Sequence, residues 1–279
     1  MRFGVVVKVA LVGCGSIGTT LANAIDAGKA GDVELVWLYD LKPEKSEALA
    51  EKLSSKPKIA KNVDQIYADK AVNLVIEAAS QKAVALYAID ILKSDKDLMM
   101  MSTGAFSDEQ LLNSVRKESA KTGRRVYVPS GAILGIDGVK AAMLGEIQEV
   151  SLTTRKPPAA LAYSSYLKEH GINLAGLKKP LVVFEGSARE AVRAFPESVN
   201  VAATLSLAGI GLERTKVRII ADPSLDRNVH EIRVWGKAGE FTTEARNVPS
   251  PENPRTSYLA ALSAIRVLRN MTETIRIGT

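Results

Sequence analysis

Cysteine and histidine are nearly missing from this 279-residue chain, which has one of the former and two of the latter. The lone Cys14 forms no internal disulfide, and one thiol with two imidazoles builds no metal site unless carboxylates supply most of the ligands. No metal is expected. Aromatic residues make up 5% of the chain, and its lysines and arginines lie among glutamates and aspartates. Without a basic stripe interleaved with aromatics, the net charge of +6 and the pI near 9.3 read as solvated surface rather than a nucleic-acid interface. The same positive field attracts an anionic substrate. No apolar run is long enough to span a bilayer, and internal repeats and low-complexity tracts are lacking too. Lys8 interrupts the apolar stretch near the N-terminus, which enters a glycine loop without a small-residue cleavage site, so the expectation is a cytoplasmic protein without a secretion signal. What is there is an ordinary globular composition, 46% apolar with a mean hydropathy of +0.03. A chain of this length can bury about 70–75% of its unfolded surface in one large or two modest domains.

The stretch that organises the rest is the apolar run Val9-Ala10-Leu11-Val12 breaking into Gly13-Cys14-Gly15-Ser16-Ile17-Gly18. This Gly-x-Gly-x-x-Gly pattern predicts a strand, a tight turn at Gly13, close approach of an anion at Gly15, and a helix packed near the sheet through Gly18. A helix opening at Ser16 presents unpaired N–H groups and its positive end to a phosphate. Alone, three glycines are a weak signal. A second apolar run, Val33 to Tyr39, ends in Asp40 about twenty residues further on, where a carboxylate meets an adenosine ribose. Asp40 argues for NAD, because a carboxylate repels a 2′-phosphate; Lys42 leaves NADP open.

The first half alternates strand and helix. Helices are expected at Ser16–Ala27, Pro43–Leu53, Lys82–Lys93 and, with Ser107 as N-cap, Asp108–Thr122, with a short amphipathic turn at Lys61–Ala68. Strands are expected at 73–80, 97–101 and 125–128, and their ends deliver Ala79-Ser80, Ser102-Thr103-Gly104 and Ser130-Gly131 to the same edge as the glycine loop. Each of these is either a tight turn or a cofactor contact. The pattern predicts a doubly wound parallel Rossmann sheet over residues 1–134.

After residue 135 the rhythm changes. A helix at 136–144 precedes Glu149–Thr154, which alternates with period two, then Arg155-Lys156-Pro157-Pro158 and a weakly patterned region to about Lys179. Segments 181–185, 216–221, 229–235 and 240–246 read as strands and 188–194 as a helix, giving a second α+β domain on a mixed or antiparallel sheet over 135–256. A last helix near 257–270 places Leu259, Leu262, Ile265 and Leu268 on one face, ready to fold back on the first domain.

The second domain holds the residues that could carry chemistry. His230 shares its strand face with Ile232 and Val234, where a histidine is usually a satisfied core residue. Its scarcity raises its standing, since only His170, in the weakly patterned region, competes as a base near neutral pH. Arg155 and Lys156 are either a solvated strand end or a carboxylate clamp stiffened by the prolines. Asn200 enters an apolar helix and reads equally as a cap.

These stretches together resemble the L-aspartate dehydrogenase family. The match is carried by Gly-Cys-Gly-Ser-Ile-Gly at 13–18, Glu77-Ala78-Ala79-Ser80-Gln81, Ser102-Thr103-Gly104-Ala105, Pro129-Ser130-Gly131-Ala132-Ile133, Thr153-Thr154-Arg155-Lys156-Pro157-Pro158, Asn200-Val201-Ala202-Ala203, Asp222-Pro223 with Asn228 and His230, and Asn253-Pro254-Arg255-Thr256-Ser257. The resemblance implies that His230 is catalytic and that Asn200 and Leu134 contact the cofactor, although Leu134 departs from the family's usual small alanine. It also makes Arg155, Lys156 and Arg255 candidates for the substrate carboxylates, with Asn228 and Thr256 beside them. Gly13, Gly15, Ser16, Ile17, Gly18, Asp40, Ala79, Ser80 and Thr103 complete the expected cofactor set. The reaction so implied moves a hydride from aspartate Cα to nicotinamide C4. Iminoaspartate then hydrolyses to oxaloacetate and ammonia or passes to a partner enzyme making quinolinate in early NAD biosynthesis, and a homodimer is implied. Two rival readings are a homoserine dehydrogenase or dihydrodipicolinate reductase type of oxidoreductase, and a non-catalytic dinucleotide-binding sensor.

Overall fold

The computed structural model describes residues 6–196, 200–250, 253–275 and 277–278, with residues 253–255 described by backbone alone. The chain divides into two compact units, Met1–Pro129 with Ala261–Ile277, and Ser130–Ala260 with the last two residues.

In the first unit, buried apolar runs become parallel strands because helices cover both faces of the sheet. The strands are β1 (Val7–Val12), β2 (Val33–Tyr39), β3 (Lys58–Ile59), β4 (Leu74–Glu77), β5 (Asp97–Met100) and β6 (Val126–Tyr127), in the order β3-β2-β1-β4-β5-β6. Between them run α1 (Ser16–Asp26), α2 (Pro43–Lys52), α3 (Val63–Ala68), α4 (Gln81–Lys93) and α5 (Glu109–Thr122), with a 3-10 turn over Thr103–Ser107. The strand order reverses between β1 and β4, and in doubly wound sheets the crevice for a ligand opens at the carboxyl ends of that pair. The N-cap of α5 is Asp108 rather than the expected Ser107: its carboxylate accepts from the Gln110 and Leu111 backbone N–H groups. Ser107 instead closes the 3-10 turn.

The second unit opens with α6 (Ile136–Ala142) and β7 (Ile147–Lys156). The weakly patterned region forms two short helices, α7 (Pro158–Leu161) and α8 (Ser165–Glu169). Next come β8 (Leu181–Ser187), α9 (Ala188–Ala194), α10 (Asn200–Ala208), β9 (Lys216–Ala221), β10 (Asn228–Gly236) and β11 (Gly239–Asn247). Their sheet has the order β11-β10-β7-β9-β8 and is mixed, since β7 and β9 run parallel while the other neighbours are antiparallel. Val150, Leu152, Val217, Ile219, Ile232 and Val234 point inward onto α6, α9 and α10 through Val139, Ala188, Ala191 and Leu205. A short pair, β12 (Pro249–Ser250) and β13 (Asn253–Ser257), leads into α11 (Tyr258–Thr272).

From Ala261 onward α11 belongs to the first unit, where Ala264, Ile265 and Leu268 join Val9, Leu11, Leu35 and Leu74 in one core. The buried face is Ala261, Ala264, Ile265 and Leu268, while Leu262 is 39% exposed, so the face is rotated from the leucine stripe expected. Small residues on that face let the helix approach closely. At Gly31 (φ +81°) a Cβ would lie 2.4 Å from Thr272 Oγ1, and the Asp32 N–H donates to that hydroxyl at 3.3 Å.

Candidate active site

The glycine loop at the end of β1 is built by two packing requirements and one opening. Gly13 has φ +101°, and a Cβ there would sit 2.7 Å from the Ala78 carbonyl; a Cβ on Gly18 would sit 2.0 Å from the Gly13 oxygen. Around Gly15, its chain neighbours aside, no atom of the described residues lies within 4 Å of a Cβ position. The turn therefore leaves bare backbone facing open space where α1 begins. Among the described residues no side chain caps that helix, and the Ser16 Oγ is buried without a partner. A phosphate oxygen supplies what both lack, an acceptor for the free N–H groups and for the hydroxyl. This donor set fits a dinucleotide pyrophosphate. Ile17 turns the other way, against the core.

Asp40 closes the loop from the side. Its Oδ2 accepts from the Cys14 N–H at 2.8 Å and its Oδ1 from the Lys42 N–H at 2.9 Å, which leaves lone pairs for ribose hydroxyls. Cys14 is buried beside it, and burial together with the Asp40 charge pushes the thiol pKa up to about 12, so no thiolate forms near neutral pH.

Glu77 was not singled out by sequence reasoning. It ends β4 almost fully buried, and its carboxylate gathers the two neighbouring strand ends. Oε1 accepts from the Ala79 and Ser80 N–H groups and the Ser102 hydroxyl at 2.8–2.9 Å, and Oε2 accepts from the Ser102 N–H at 3.1 Å. Burial raises its pKa while these donors oppose the rise. An acid at the end of a continuous apolar strand was the available signal, because a buried carboxylate has to be met by donors. Of the cofactor candidates here, Ala79 and Ser80 give their N–H groups to Glu77, Ser80 Oγ also caps α4 at Ala83, and Thr103 is buried at the start of the 3-10 turn.

In the second unit, register places the polar residues. His230 on β10 pairs with Thr154 on β7, and Val229 pairs with Arg155, so successive residues alternate between faces. Thr154, Lys156 and His230 lie on the inner face, each at most 7% exposed, and half-buried Asn228 shares it. This end of an otherwise apolar face is polar. Thr154 Oγ1 and His230 Nδ1 are 3.0 Å apart, so this contact engages Nδ1 and not Nε2. Burial, with the Lys156 charge close by, pulls the His230 pKa down to about 3, and burial brings Lys156 down to about 8. The imidazole is therefore neutral at physiological pH. Lysine is the group whose protonation lies nearer the working range.

The structure does not bring Arg155 and Lys156 together. The expected strand ended at Thr154, but β7 continues through Lys156, and its period of two sends Arg155 to the opposite face. There it is 42% exposed and 3.9 Å from Asp222. Asp222 itself is held by the Ser224 hydroxyl and N–H, which lower its pKa ahead of the Arg155 charge. Leu134 is 45% exposed, and its carbonyl accepts from Thr243 Oγ1 at 3.1 Å. Asn200 begins α10 and is exposed; Thr256 on β13 is half-buried; the Arg255 side chain lies outside the described residues. Among the described residues no group of three potential metal ligands occurs, and no helix is long and apolar enough to cross a membrane.

A parallel sheet with a glycine cradle at its switch point, followed by a mixed-sheet unit with a buried imidazole and amine, defines a nicotinamide-dependent dehydrogenase of the Rossmann type. Residues 13–129 match the family described as homoserine dehydrogenase, NAD binding domain, and residues 137–271 match aspartate dehydrogenase, C-terminal. The L-aspartate dehydrogenase of Methanosarcina mazei is 49% identical over 273 residues, 98% of this chain and 99% of that one. The chain belongs to the L-aspartate dehydrogenase family. Among solved structures, aspartate dehydrogenase from Thermotoga maritima is 31% identical with a TM-score of 0.77, covering 98% of this chain and 99% of that one. A scyllo-inositol dehydrogenase from Lactobacillus casei, solved with NAD(H), shares the fold at a TM-score of 0.58 and 13% identity, covering 95% of this chain and 88% of that one.

Proposed function

We propose that this enzyme oxidises L-aspartate with NAD to iminoaspartate, and in reverse aminates oxaloacetate. The observation that carries the reading is the inner-face cluster of Lys156, His230, Thr154 and Asn228, a buried cation and a neutral imidazole at the end of an apolar sheet in a chain of this family. A four-carbon diacid with an amino group needs a cation for a carboxylate, a polar group at nitrogen and dry surroundings, and this cluster has all three.

In this proposal Gly13, Gly15, Ser16, Ile17 and Gly18 hold the pyrophosphate, Asp40 the ribose, and Ala79, Ser80, Thr103, Leu134 and Asn200 complete the cofactor contacts. A nicotinamide held there would supply the acceptor for the hydride of aspartate Cα. Lys156 binds a substrate carboxylate, with Arg255 and Thr256 as the further candidates at the second one and Asn228 alongside; Arg155, on the opposite face of the sheet beside Asp222, takes no part. His230, neutral and held at Nδ1 by Thr154, uses Nε2 to orient the α-nitrogen or relay its proton. Asp40 favours NAD over NADP, because its charge opposes a 2′-phosphate. We further propose that the enzyme is a cytoplasmic homodimer feeding NAD biosynthesis, its imine either hydrolysing to oxaloacetate and ammonia or passing to the enzyme that makes quinolinate.

Purified protein is mixed with NAD and L-aspartate, and separately with NADH, oxaloacetate and ammonium, with L-homoserine and L-alanine as controls. Turnover confined to the aspartate and oxaloacetate pairs supports the reading. Turnover of homoserine instead, or cofactor binding without any turnover, refutes it.

A further inference from the structure

At the polar end of the second sheet, one buried atom has no partner among the described residues. Asn247 ends β11, directly across from Asn228 in register and therefore on the same inner face, and it is 4% exposed. Its amide nitrogen donates to the Ala132 carbonyl at 3.0 Å and more weakly to the Ala245 carbonyl at 3.4 Å. Both hydrogens point at carbonyls, which fixes the orientation of the amide. The Oδ1 is then buried and, among the described residues, accepts no hydrogen bond. Anchoring the 130–134 segment explains the nitrogen of this side chain but not its oxygen.

We infer that Asn247 Oδ1 is the acceptor for the α-nitrogen of the substrate, a role that rests on the proposed oxidation of L-aspartate. An amide oxygen accepts and never donates, so the ligand atom it meets carries hydrogen; the ammonium, amine and imine forms of the substrate nitrogen all do. Position agrees with this chemistry. β10 lies between β7 and β11, so Asn247 and Lys156 stand two strand spacings apart, about 10 Å along the sheet, with Asn228 between them. A four-carbon diacid lies across that span with a carboxylate towards Lys156 and its nitrogen towards Asn247. The Ala245 position, next along β11 on the same face, pairs with His230, which brings the imidazole to the same nitrogen.

The test separates binding of the substrate nitrogen from anchoring of the 130–134 segment. Asn247→Leu removes both, whereas Thr243→Val removes only the neighbouring anchor, the hydroxyl on the Leu134 carbonyl. Three quantities are read: KM for L-aspartate and for ammonium, Ki for succinate, which has both carboxylates but no nitrogen, and Kd for NADH by its fluorescence. Asn247→Leu is expected to raise KM for L-aspartate and ammonium about tenfold or more, the worth of one hydrogen bond to a charged group, with succinate Ki within about twofold of wild type. Thr243→Val is expected to leave the aspartate and ammonium KM values unchanged. If Asn247→Leu weakens succinate as much as aspartate, or shifts only the NADH Kd, the inference is wrong and Asn247 merely anchors the segment. Asn247→Ser is read the same way if the leucine variant does not fold. Wild-type protein that turns over other substrates but not aspartate overturns the functional reading beneath it; normal wild-type turnover with unchanged variant KM overturns this inference alone.

Discussion

Single residues carry most of what is testable here. Gly15 and Gly18 belong to one motif, yet the space around them differs, so their alanine variants fail differently. A Cβ on Gly18 collides with the Gly13 carbonyl, and Gly18→Ala should lower Tm and soluble yield. At Gly15 the Cβ meets open space, so Gly15→Ala should keep the wild-type Tm while weakening NADH binding about tenfold or more, read by fluorescence titration. Equal Tm losses in both variants would contradict this division. His230 gives a pH signature as well as a kinetic one. Its folded pKa near 3 lies below the ordinary value of 6.5, so between the two the unfolded chain takes up a proton that the folded ring refuses. Its contribution to stability is therefore complete above about 6.5 and is lost as pH falls towards about 3. Between about pH 7.5 and about pH 4.5, wild-type protein should lose more stability in urea than His230→Gln does, and equal losses would mean that the imidazole is not buried in neutral form. At pH 7.5 the same variant should lose about a hundredfold or more in kcat if Nε2 acts on the substrate nitrogen.

At the scale of elements, α11 is the sharpest case. Although last in sequence, it contributes Leu268, which is fully buried, to the core under β1, β2 and β4. Leu268→Ala should cost about 2–5 kcal/mol by urea denaturation, the usual range for a buried leucine, whereas a loss within about 0.5 kcal/mol would place the helix outside the core. The helix and its amphipathic character were legible from the sequence, but its buried face was not. Leucine spacing picked out Leu262, while the contact is made through alanines whose small size matters only when a partner surface comes close. The strands of the first unit were legible because continuous apolar runs between helices have few other uses. The two-residue strand β3, the β12–β13 pair and the short helices α7 and α8 were not, since segments that short have too few residues to show a period. Strand length also decided the fate of Arg155 and Lys156: two further residues of β7 turn an apparent pair into opposite faces.

For the whole molecule, the sequence read most clearly where one motif carries its own geometry, as in the glycine loop with Asp40. Groups that meet only through register read least clearly. Glu77 and Asn247 are polar residues at strand ends; Glu77 is marked only by the apolar run it closes and Asn247 by nothing local, and each also meets a backbone group tens of residues or more away, at Ser102 and Ala132. His230 stood out by scarcity, but whether it is charged was invisible until burial and the nearness of Lys156 were known. The functional account joins these parts into one claim, that a hydride leaves Cα of L-aspartate for NAD. L-aspartate deuterated at Cα tests it most directly, with the reduced cofactor analysed by mass spectrometry and proton NMR. The account predicts one deuterium per turnover at nicotinamide C4 and a slower rate with the deuterated substrate when chemistry limits turnover. Reduced cofactor that carries no deuterium, or no reduction by aspartate at all, would contradict it.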